Sequence, residues 1–364
     1  MSRILVLGSG AWGTAIALAL HRRRGHQITL WAHSPEAAQE IVDAGENRQF
    51  LPGFPLPKEI AITGDCASAS SAEVVVSVVP SEFLRATLAR FRPHLRPGQI
   101  VVSATKGVED RTYLRMTEVI ADSLSHEATR GTGSSVKSTG FSPYKPSAES
   151  KGALAPEGSF AIGALSGPSF AQEVAQGQPT ALTIAFRERS IAARIQREFS
   201  SESLRLYTSS DVTGVELGGA LKNVIAISAG IAAGVGLGYN STAALITRGI
   251  AEITRLAVAC GGRRETLAGL SGMGDLVLTC TGSLSRNRTV GQALGQGRKL
   301  PEILESLGGK VAEGVHTTRA ALGLARKHSI EMPITEQMEQ ILNEGKDPRQ
   351  AIKDLMLRPG KEEH

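Results

Sequence analysis

The sequence predicts an α/β fold in which a doubly wound, mainly parallel sheet is followed by an all-helical domain. The chain opens with an apolar strand, a glycine turn and a helix. Short β-branched runs such as EVVVSVV at 73–79 then alternate with helical patterns, as expected of parallel strands buried on both faces. After about residue 210 the strand patterns stop, and only long helical patterns follow.

Hydrophobic period and flanking residues place the individual elements. Apolar runs predict strands at 4–7, 27–31, 73–79, 99–104, 160–165 and 181–186. Helical periodicity predicts helices at 11–24, from about 35, at 81–91 and 112–125, and then at 213–235, 242–260, 313–328, 335–344 and 348–357. We therefore expect two domains, a Rossmann-type domain at 1–210 and a helical domain at 211–364.

Residues 126–157 differ from both domains in composition. Glycine, serine, threonine and proline account for 16 of these 32 residues, and no hydrophobic period is present. Such a segment buries too little apolar surface to offset the entropy lost on ordering. We expect a flexible insertion within the first domain rather than a third domain.

Charge and composition narrow the class of function. The net charge is +5, yet no dense basic run appears and only 4% of residues are aromatic. Anionic small molecules are therefore better expected partners than nucleic acid. Widely separated cysteines argue against a metal site or disulfide framework and for a reduced, cytoplasmic protein; they are Cys66, Cys260 and Cys280. The longest apolar run, at 224–238, is too short and glycine-rich to predict a membrane span.

The first glycine turn has the spacing G-x-G-x-x-G, from Gly8 through Gly10 to Gly13. The spacing alone is a weak signal, but here it follows an apolar strand and opens a helix, which is the context of a dinucleotide site. Gly8 would make the tight turn, Gly10 would let the backbone approach the pyrophosphate, and Gly13 would let the helix pack on the strand. The turn predicts an NAD(P)-dependent oxidoreductase.

The end of the second predicted strand bears on the choice of cofactor. A site specific for NAD expects Asp or Glu there, to bind the ribose 2′-hydroxyl. The chain instead continues Ala32-His33-Ser34. His33 and Ser34 could face a 2′-phosphate, which favours NADPH, whereas Glu36 just beyond keeps NAD open.

Two lysines are candidates for chemistry. Lys106 follows a buried strand in the run ATKG, where a loop side chain points into the ligand crevice, although a solvated surface lysine fits equally well. Lys222 lies in a helical stretch of apolar and small residues. Burial would lower its pKa and allow proton exchange near neutral pH, unless the side chain reaches the surface.

Polar groups also occur in two later segments. Asp275, in the glycine-rich turn GMGDL, could pair with Lys222 or act only as a local cap. The run Ser285-Arg286-Asn287 stands beside a predicted helix start. An arginine and an amide in that position suit a phosphate, whereas a capping serine with solvated arginines is the alternative.

Together these segments resemble the bacterial NAD(P)-dependent glycerol-3-phosphate dehydrogenase family. The resemblance covers nearly the whole chain apart from 126–157. It rests on ordered motifs, which are GSGAWGTA at 8–15, VVPS at 78–81, ATKG at 104–107, SGPSFAQE at 166–173, GVELGGALKNVIAISAG at 214–230, ALITRG at 244–249, GMGDLVLTCTGSLSRNR at 272–288, VAEG at 311–314 and EMPIT at 331–335.

The resemblance implies reversible reduction of dihydroxyacetone phosphate to sn-glycerol 3-phosphate, a phospholipid precursor, with NADPH or NADH and no metal. It implies that Lys222 donates the proton, that Asp275 holds Lys222, and that Lys106 contacts both substrate and cofactor. Other implied substrate contacts are Gly167, Ser169, Asp275, Ser285, Arg286 and Asn287. Other implied cofactor contacts are Ala11, Trp12, His33, Ala171, Arg286, Val311 and Glu313. Ala11 and Phe50 replace a frequent serine and tyrosine, so hydroxyl contacts there would be lost.

Two other functions stay open on the sequence. One is a related dehydrogenase of the same architecture that acts on a hydroxy acid. The other is a sensor that binds NADPH without catalysis, which predicts that Lys222, Asp275 and residues 285–287 do not converge. A homodimer is compatible with the sequence, which does not decide the oligomeric state.

Overall fold

The computed structural model describes residues 1–125, 159–306, 312–360 and 362–363. Its strands are β1 (Arg3–Leu7), β2 (Gln27–Trp31), β3 (Ile60–Thr63), β4 (Val74–Ser77), β5 (Ile100–Ser103), β6 (Ala161–Ser166), β7 (Thr180–Ala185) and β8 (Leu204–Ser209). They form a sheet in the order β3-β2-β1-β4-β5-β6-β7-β8, parallel throughout except between β6 and β7. The doubly wound, mainly parallel sheet is confirmed, whereas the predicted insertion at 126–157 lies outside the described residues.

Helices cover both faces of this sheet. They are α1 (Ala11–Arg22), α2 (Pro35–Ala44), α3 (Ser81–Phe91), α4 (Met116–Ser125), α5 (Ala171–Gln176) and α6 (Arg189–Phe199). In β1, Ile4 and Val6 pack into the core shared with α1, while Leu5 and Leu7 pack into the core shared with α3. Burial on both faces explains why the central strands are continuous apolar runs.

The two strands that the sequence pattern missed, β3 and β8, are the edges of the sheet. Alternate residues of β8 are exposed, and three of the four residues of β3 are at least partly exposed, so neither shows a long apolar run. The helix predicted at 112–125 begins only at Met116. Arg111 and Tyr113 adopt left-handed φ values of 71° and 59°, which end any helix before that point.

The described residues after β8 are helical, as predicted for the domain at 211–364. Its helices are α7 (Val212–Val235), α8 (Tyr239–Ala259), α9 (Arg264–Ala268), α10 (Asp275–Thr281), α11 (Arg286–Gly295), α12 (Leu300–Ser306), α13 (Glu313–Lys327), α14 (Pro333–Glu344) and α15 (Pro348–Met356), with a π-helical turn at Leu270–Gly274. The five long predicted helices correspond to α7, α8, α13, α14 and α15.

Helix α7 forms the centre of the helical domain. Small residues let its neighbours approach closely: a Cβ on Gly230 would overlap the Arg288 carbonyl oxygen of α11. By length and composition α7 could cross a membrane, but 83% of its apolar window is buried within the protein. It is therefore accounted for as a core helix, and any polar side chain on it is carried into the interior.

Candidate active site

The glycine turn joins β1 to α1 with the geometry of an anion site. Gly8 has a φ of 113°, and a Cβ there would lie 3.1 Å from the Val78 carbonyl oxygen. A Cβ on Gly13 would overlap the Gly8 carbonyl oxygen, so only glycine lets α1 pack this closely. Gly10 is the N-cap of α1, where a Cβ would meet open space and no side chain caps the helix. The first N–H groups of α1 are thus left for a ligand such as a diphosphate.

Two side chains beside the turn bear on whether a dinucleotide fits there. The indole Nε1 of Trp12 is buried and has no hydrogen-bond partner among the described residues. Asn47 donates to the Ser9 carbonyl at 2.6 Å and to the Thr14 hydroxyl at 2.8 Å, which holds the turn in place. The result is a fixed turn with a free donor, which suits phosphate and ribose oxygens. Asn47 was missed by sequence reasoning, because it belongs to none of the motifs.

The end of β2 presents no carboxylate to a ribose. His33 is exposed, and Ser34 caps α2 by accepting the Ala37 N–H at 3.2 Å. The Glu36 carboxylate is held by its own backbone N–H and by the Ser34 hydroxyl, which lower its pKa. Ser34 and Glu36 therefore hydrogen-bond to the first turn of α2. His33 is exposed and does not cap that helix.

Lys106, Lys222 and Asp275 meet in one cluster where the sheet joins the helical domain. Lys106 Nζ donates to Asp275 Oδ2 at 2.8 Å, and Lys222 Nζ donates to Asp275 Oδ1. Lys222 also donates to the Thr279 hydroxyl at 2.8 Å. The Asp275 side chain is fully buried, and both lysine side chains are largely so. The carboxylate is therefore shared between two ammonium groups rather than acting as a local cap.

Local structure explains how the three side chains arrive together. Lys106 follows β5, at the same sheet edge as the glycine turn, and Asp275 begins α10 directly after the π-helical turn. Lys222 is buried because α7 approaches its neighbours through glycines. A Cβ on Gly218 would crowd the Ser271 carbonyl oxygen, and one on Gly219 would overlap the Ser166 hydroxyl.

The cluster shifts the pKa values of its two lysines in opposite directions. Burial lowers the pKa of Lys222 to about 8, helped by the positive charge of Lys106 and opposed by Asp275. Burial also acts to lower the pKa of Lys106, but the charge and hydrogen bond of Asp275 outweigh it, and that pKa lies above its ordinary value. Lys222 is thus the group that can exchange a proton near neutral pH, while Lys106 stays positively charged.

A second carboxyl group, Glu313, begins α13 beside this cluster. Burial raises its pKa, while the charges of Arg286, Lys106 and Lys222 act in the opposite direction. Its Oε2 accepts a hydrogen bond from Asn223 Nδ2 at 3.2 Å, from the residue next to Lys222. Glu313 therefore lies close enough for the charges of both lysines to act on its pKa.

The predicted phosphate-binding run lies at the start of α11. Ser285 caps that helix by accepting the Arg288 N–H at 3.2 Å, and Asn287 Oδ1 accepts the Gly314 N–H of α13 at 3.0 Å. The Arg286 side chain is exposed. Ser285 therefore caps the helix. Arg286 also lies near the lysine cluster, since its charge acts on Glu313, which is beside that cluster.

The remaining predicted contacts lie after β6. Gly167 has a φ of 143°, and Ser169 donates to its carbonyl oxygen at 3.0 Å. Ala171 begins α5. Val311 lies outside the described residues. Thr279 was missed by sequence reasoning, which predicted a turn and no helix at 275–281. In the structure it lies one turn after Asp275 on α10, on the same face of that helix.

Comparison with known proteins decides the family. Residues 211–353 match the family described as the C-terminus of NAD-dependent glycerol-3-phosphate dehydrogenase, and residues 3–135 and 151–192 match the corresponding N-terminus. The chain belongs to this family. The predicted resemblance, the fold class and the assignment to NAD(P)-dependent oxidoreductases are confirmed.

Similar glycerol-3-phosphate dehydrogenases are found along the full length of the chain. A protein of Acidobacterium capsulatum named glycerol-3-phosphate dehydrogenase [NAD(P)+] is 54% identical and covers 100% of both chains. A protein of the same name from Koribacter versatilis is 52% identical, over 99% of this chain and 98% of its own. The crystal structure of glycerol-3-phosphate dehydrogenase from Coxiella burnetii has a TM-score of 0.85 and 36% identity, over 98% of this chain and 99% of that one.

Proposed function

We propose that this dehydrogenase reduces dihydroxyacetone phosphate reversibly to sn-glycerol 3-phosphate, with NADPH or NADH as the reductant. The observation that carries the proposal is the buried cluster of Lys106, Lys222 and Asp275 at the sheet edge that also bears the glycine turn. A sensor without catalysis has no need for a buried lysine whose pKa is lowered to about 8. The product is the backbone precursor of phospholipids, so the enzyme supplies their synthesis.

The glycine turn is the proposed cofactor site. Gly8, Gly10 and Gly13 would bring the backbone against the pyrophosphate, with Ala11 and Trp12 in the first turn of α1. His33, Lys106, Ala171, Arg286, Val311 and Glu313 complete the proposed contacts. When bound, the nicotinamide supplies the hydride that the protein itself cannot provide.

Lys222 is the proposed proton donor. Negative charge develops on the carbonyl oxygen of the ketone during reduction, and an ammonium group in a buried site stabilises it strongly. With a pKa near 8, Lys222 is protonated near neutral pH and can then give its proton to that oxygen. In the reverse direction the neutral amine of Lys222 takes the proton from the alcohol.

Asp275 and Lys106 are proposed to prepare Lys222 for this role. Asp275 fixes the direction of the Lys222 ammonium, since one of its oxygens accepts from Lys222 and the other from Lys106. Lys106 keeps a permanent positive charge next to the reacting group, which holds the pKa of Lys222 down and attracts the anionic substrate.

The phosphate of the substrate is proposed to lie against the start of α11. Arg286 offers a planar guanidinium, and Ser285 and Asn287 stand at the helix N-terminus. Gly167 and Ser169, which follow β6, are proposed to line the site from the sheet side. Binding the phosphate away from the reacting carbon would orient the ketone toward Lys222.

Steady-state kinetics test substrate and cofactor together. We expect turnover of dihydroxyacetone phosphate with both NADPH and NADH, and little turnover of unphosphorylated dihydroxyacetone or of 2-hydroxy and 3-hydroxy acids. Turnover of dihydroxyacetone equal to that of its phosphate would contradict the role given to Arg286. Binding of NADPH without turnover of any of these substrates would instead support the sensor.

We also propose a division of labour, a location and an assembly. Residues 1–210 would bind the cofactor and residues 211–364 would carry substrate binding and catalysis, because α7 and α10 supply Lys222 and Asp275. The thiols of Cys66, Cys260 and Cys280 are free, which suits the reducing cytoplasm. A homodimer is proposed, and analytical ultracentrifugation at several concentrations tests it.

A further inference from the structure

We propose that Arg90 binds the 2′-phosphate of NADPH and makes the enzyme prefer NADPH to NADH. Arg90 lies in none of the motifs on which the family resemblance rests. The inference depends on the proposed function only in that it assigns a residue to the cofactor of that reaction.

The guanidinium of Arg90 is held at the end of β2, although the residue itself belongs to α3. Its Cζ lies 5.2 Å from the centre of the Trp31 indole ring, and one Nη donates to the His33 carbonyl at 3.2 Å. Trp31 is itself packed edge-on against Phe91, with ring centroids 4.9 Å apart. The stacking and the hydrogen bond thus place the cation on a rigid aromatic platform.

The carboxylates near this end of the sheet have other partners. Glu36 is held at the start of α2 by its own backbone N–H and by Ser34. Asp65, which follows β3, accepts the Ala67 N–H at 2.9 Å. Arg90 itself makes no ion pair among the described residues and remains exposed, so several of its N–H donors are left for an anion.

The position fits the 2′ substituent of an adenosine ribose. In this class of fold that substituent lies at the end of the second strand, where an acidic residue selects NAD and an arginine accommodates the phosphate of NADP. Here β2 ends without an acidic residue, and α3 brings Arg90 to the same place. A surface cavity that extends from α2 past Gly64 and Cys66 includes both Arg90 and His94.

The chemistry favours a phosphate over a hydroxyl. A guanidinium binds a phosphate through two parallel charge-assisted hydrogen bonds, which a ribose hydroxyl cannot match. Because NADPH and NADH differ at this group alone, loss of Arg90 should weaken NADPH binding and leave NADH binding nearly unchanged.

The test compares Arg90→Gln with the wild-type protein and with Arg96→Gln. Arg96 is an exposed arginine after α3 that has no proposed role, so it controls for loss of surface charge. Dissociation constants for NADPH and NADH come from nicotinamide fluorescence, and those for 2′,5′-ADP and 5′-AMP from calorimetry. We expect Arg90→Gln to weaken NADPH and 2′,5′-ADP on the order of tenfold or more, and NADH and 5′-AMP by about twofold or less.

The outcomes separate the proposal from its alternatives. An unchanged NADPH affinity, or an equal loss for NADPH and NADH, would overturn the role of Arg90. Arg90→Lys keeps the charge without the planar fork and should give an intermediate NADPH affinity, which holds the test open if Arg90→Gln fails to fold. Titration with 2′,5′-ADP needs no turnover, so a selective effect in a protein inactive on dihydroxyacetone phosphate would refute the proposed function but not this inference.

Discussion

Replacing Lys222 with methionine is the sharpest test of the cluster. The methionine keeps much of the side-chain volume and removes the ammonium group. Asp275 stays compensated in the variant, because Lys106 Nζ donates to its other oxygen at 2.8 Å. We therefore expect Lys222→Met to fold and to bind NADPH as the wild type does.

The size of the effect follows from the two roles given to Lys222. Loss of a positioned general acid costs about 10²–10⁴-fold in rate, and loss of the charge that stabilises the oxyanion lies in the same range. We expect kcat for the reduction of dihydroxyacetone phosphate to fall on the order of 10³-fold or more. Lys353→Met, which removes an exposed lysine of α15, should leave kcat unchanged.

The wild-type pH profile gives an independent check on the same lysine. The pKa of Lys222 is lowered to about 8, and reduction needs its protonated form. The value of kcat/KM for reduction should therefore fall about tenfold between about pH 7 and pH 9, whereas oxidation of sn-glycerol 3-phosphate should rise through the same pKa.

Both measurements use the absorbance of the reduced nicotinamide, with cofactor binding followed separately by fluorescence. The reasoning fails if Lys222→Met retains activity within about tenfold of the wild type. It also fails if the variant keeps the wild-type pH profile, since another group would then be the proton donor. Weakened NADPH binding in the variant would show that the lysine serves the cofactor rather than the ketone.

Three other substitutions have effects that can be worked out from single contacts. Thr279→Val removes a hydroxyl that accepts from Lys222 Nζ at 2.8 Å, so the protonated form of Lys222 loses a hydrogen-bond partner. The pH at which kcat/KM for reduction falls should therefore move down by about one pH unit or less, which a pH titration of kcat/KM measures. Glu252→Gln replaces a buried carboxylate whose two oxygens accept N–H groups at the start of α14 at 2.9 Å. Urea unfolding should show a loss of about 1–3 kcal/mol in the free energy of unfolding, whereas Glu336→Gln, on the exposed face of α14, should not show this loss. Gly230→Ala would drive a Cβ into a backbone carbonyl of α11, so we expect the free energy of unfolding to fall by about 1–3 kcal/mol in the same assay. An unchanged unfolding midpoint would show that α7 and α11 can move apart without cost.

Much of the fold could be predicted because it depends on local patterns. The central strands are buried on both faces, and their apolar runs are visible without any knowledge of their partners. Edge strands such as β3 and β8 are half solvated, so their pattern is weaker and they were missed. The three glycines of the first turn were informative because Gly8 and Gly13 have steric reasons that the surrounding strand and helix already imply.

The sequence by itself determined the class of cofactor, the glycine turn, and the apolar helix that carries Lys222. The structure decided that the Lys222 side chain is buried rather than directed to the surface. Only the tertiary structure decided that Asp275 is shared by two lysines, one of them 169 residues away along the chain. It also decided that Ser34 caps a helix while Arg90 reaches the end of β2. The reason is physical: a turn or a helix face depends on neighbours in sequence, whereas a charge cluster depends on which elements pack together, and local residue patterns do not record that packing.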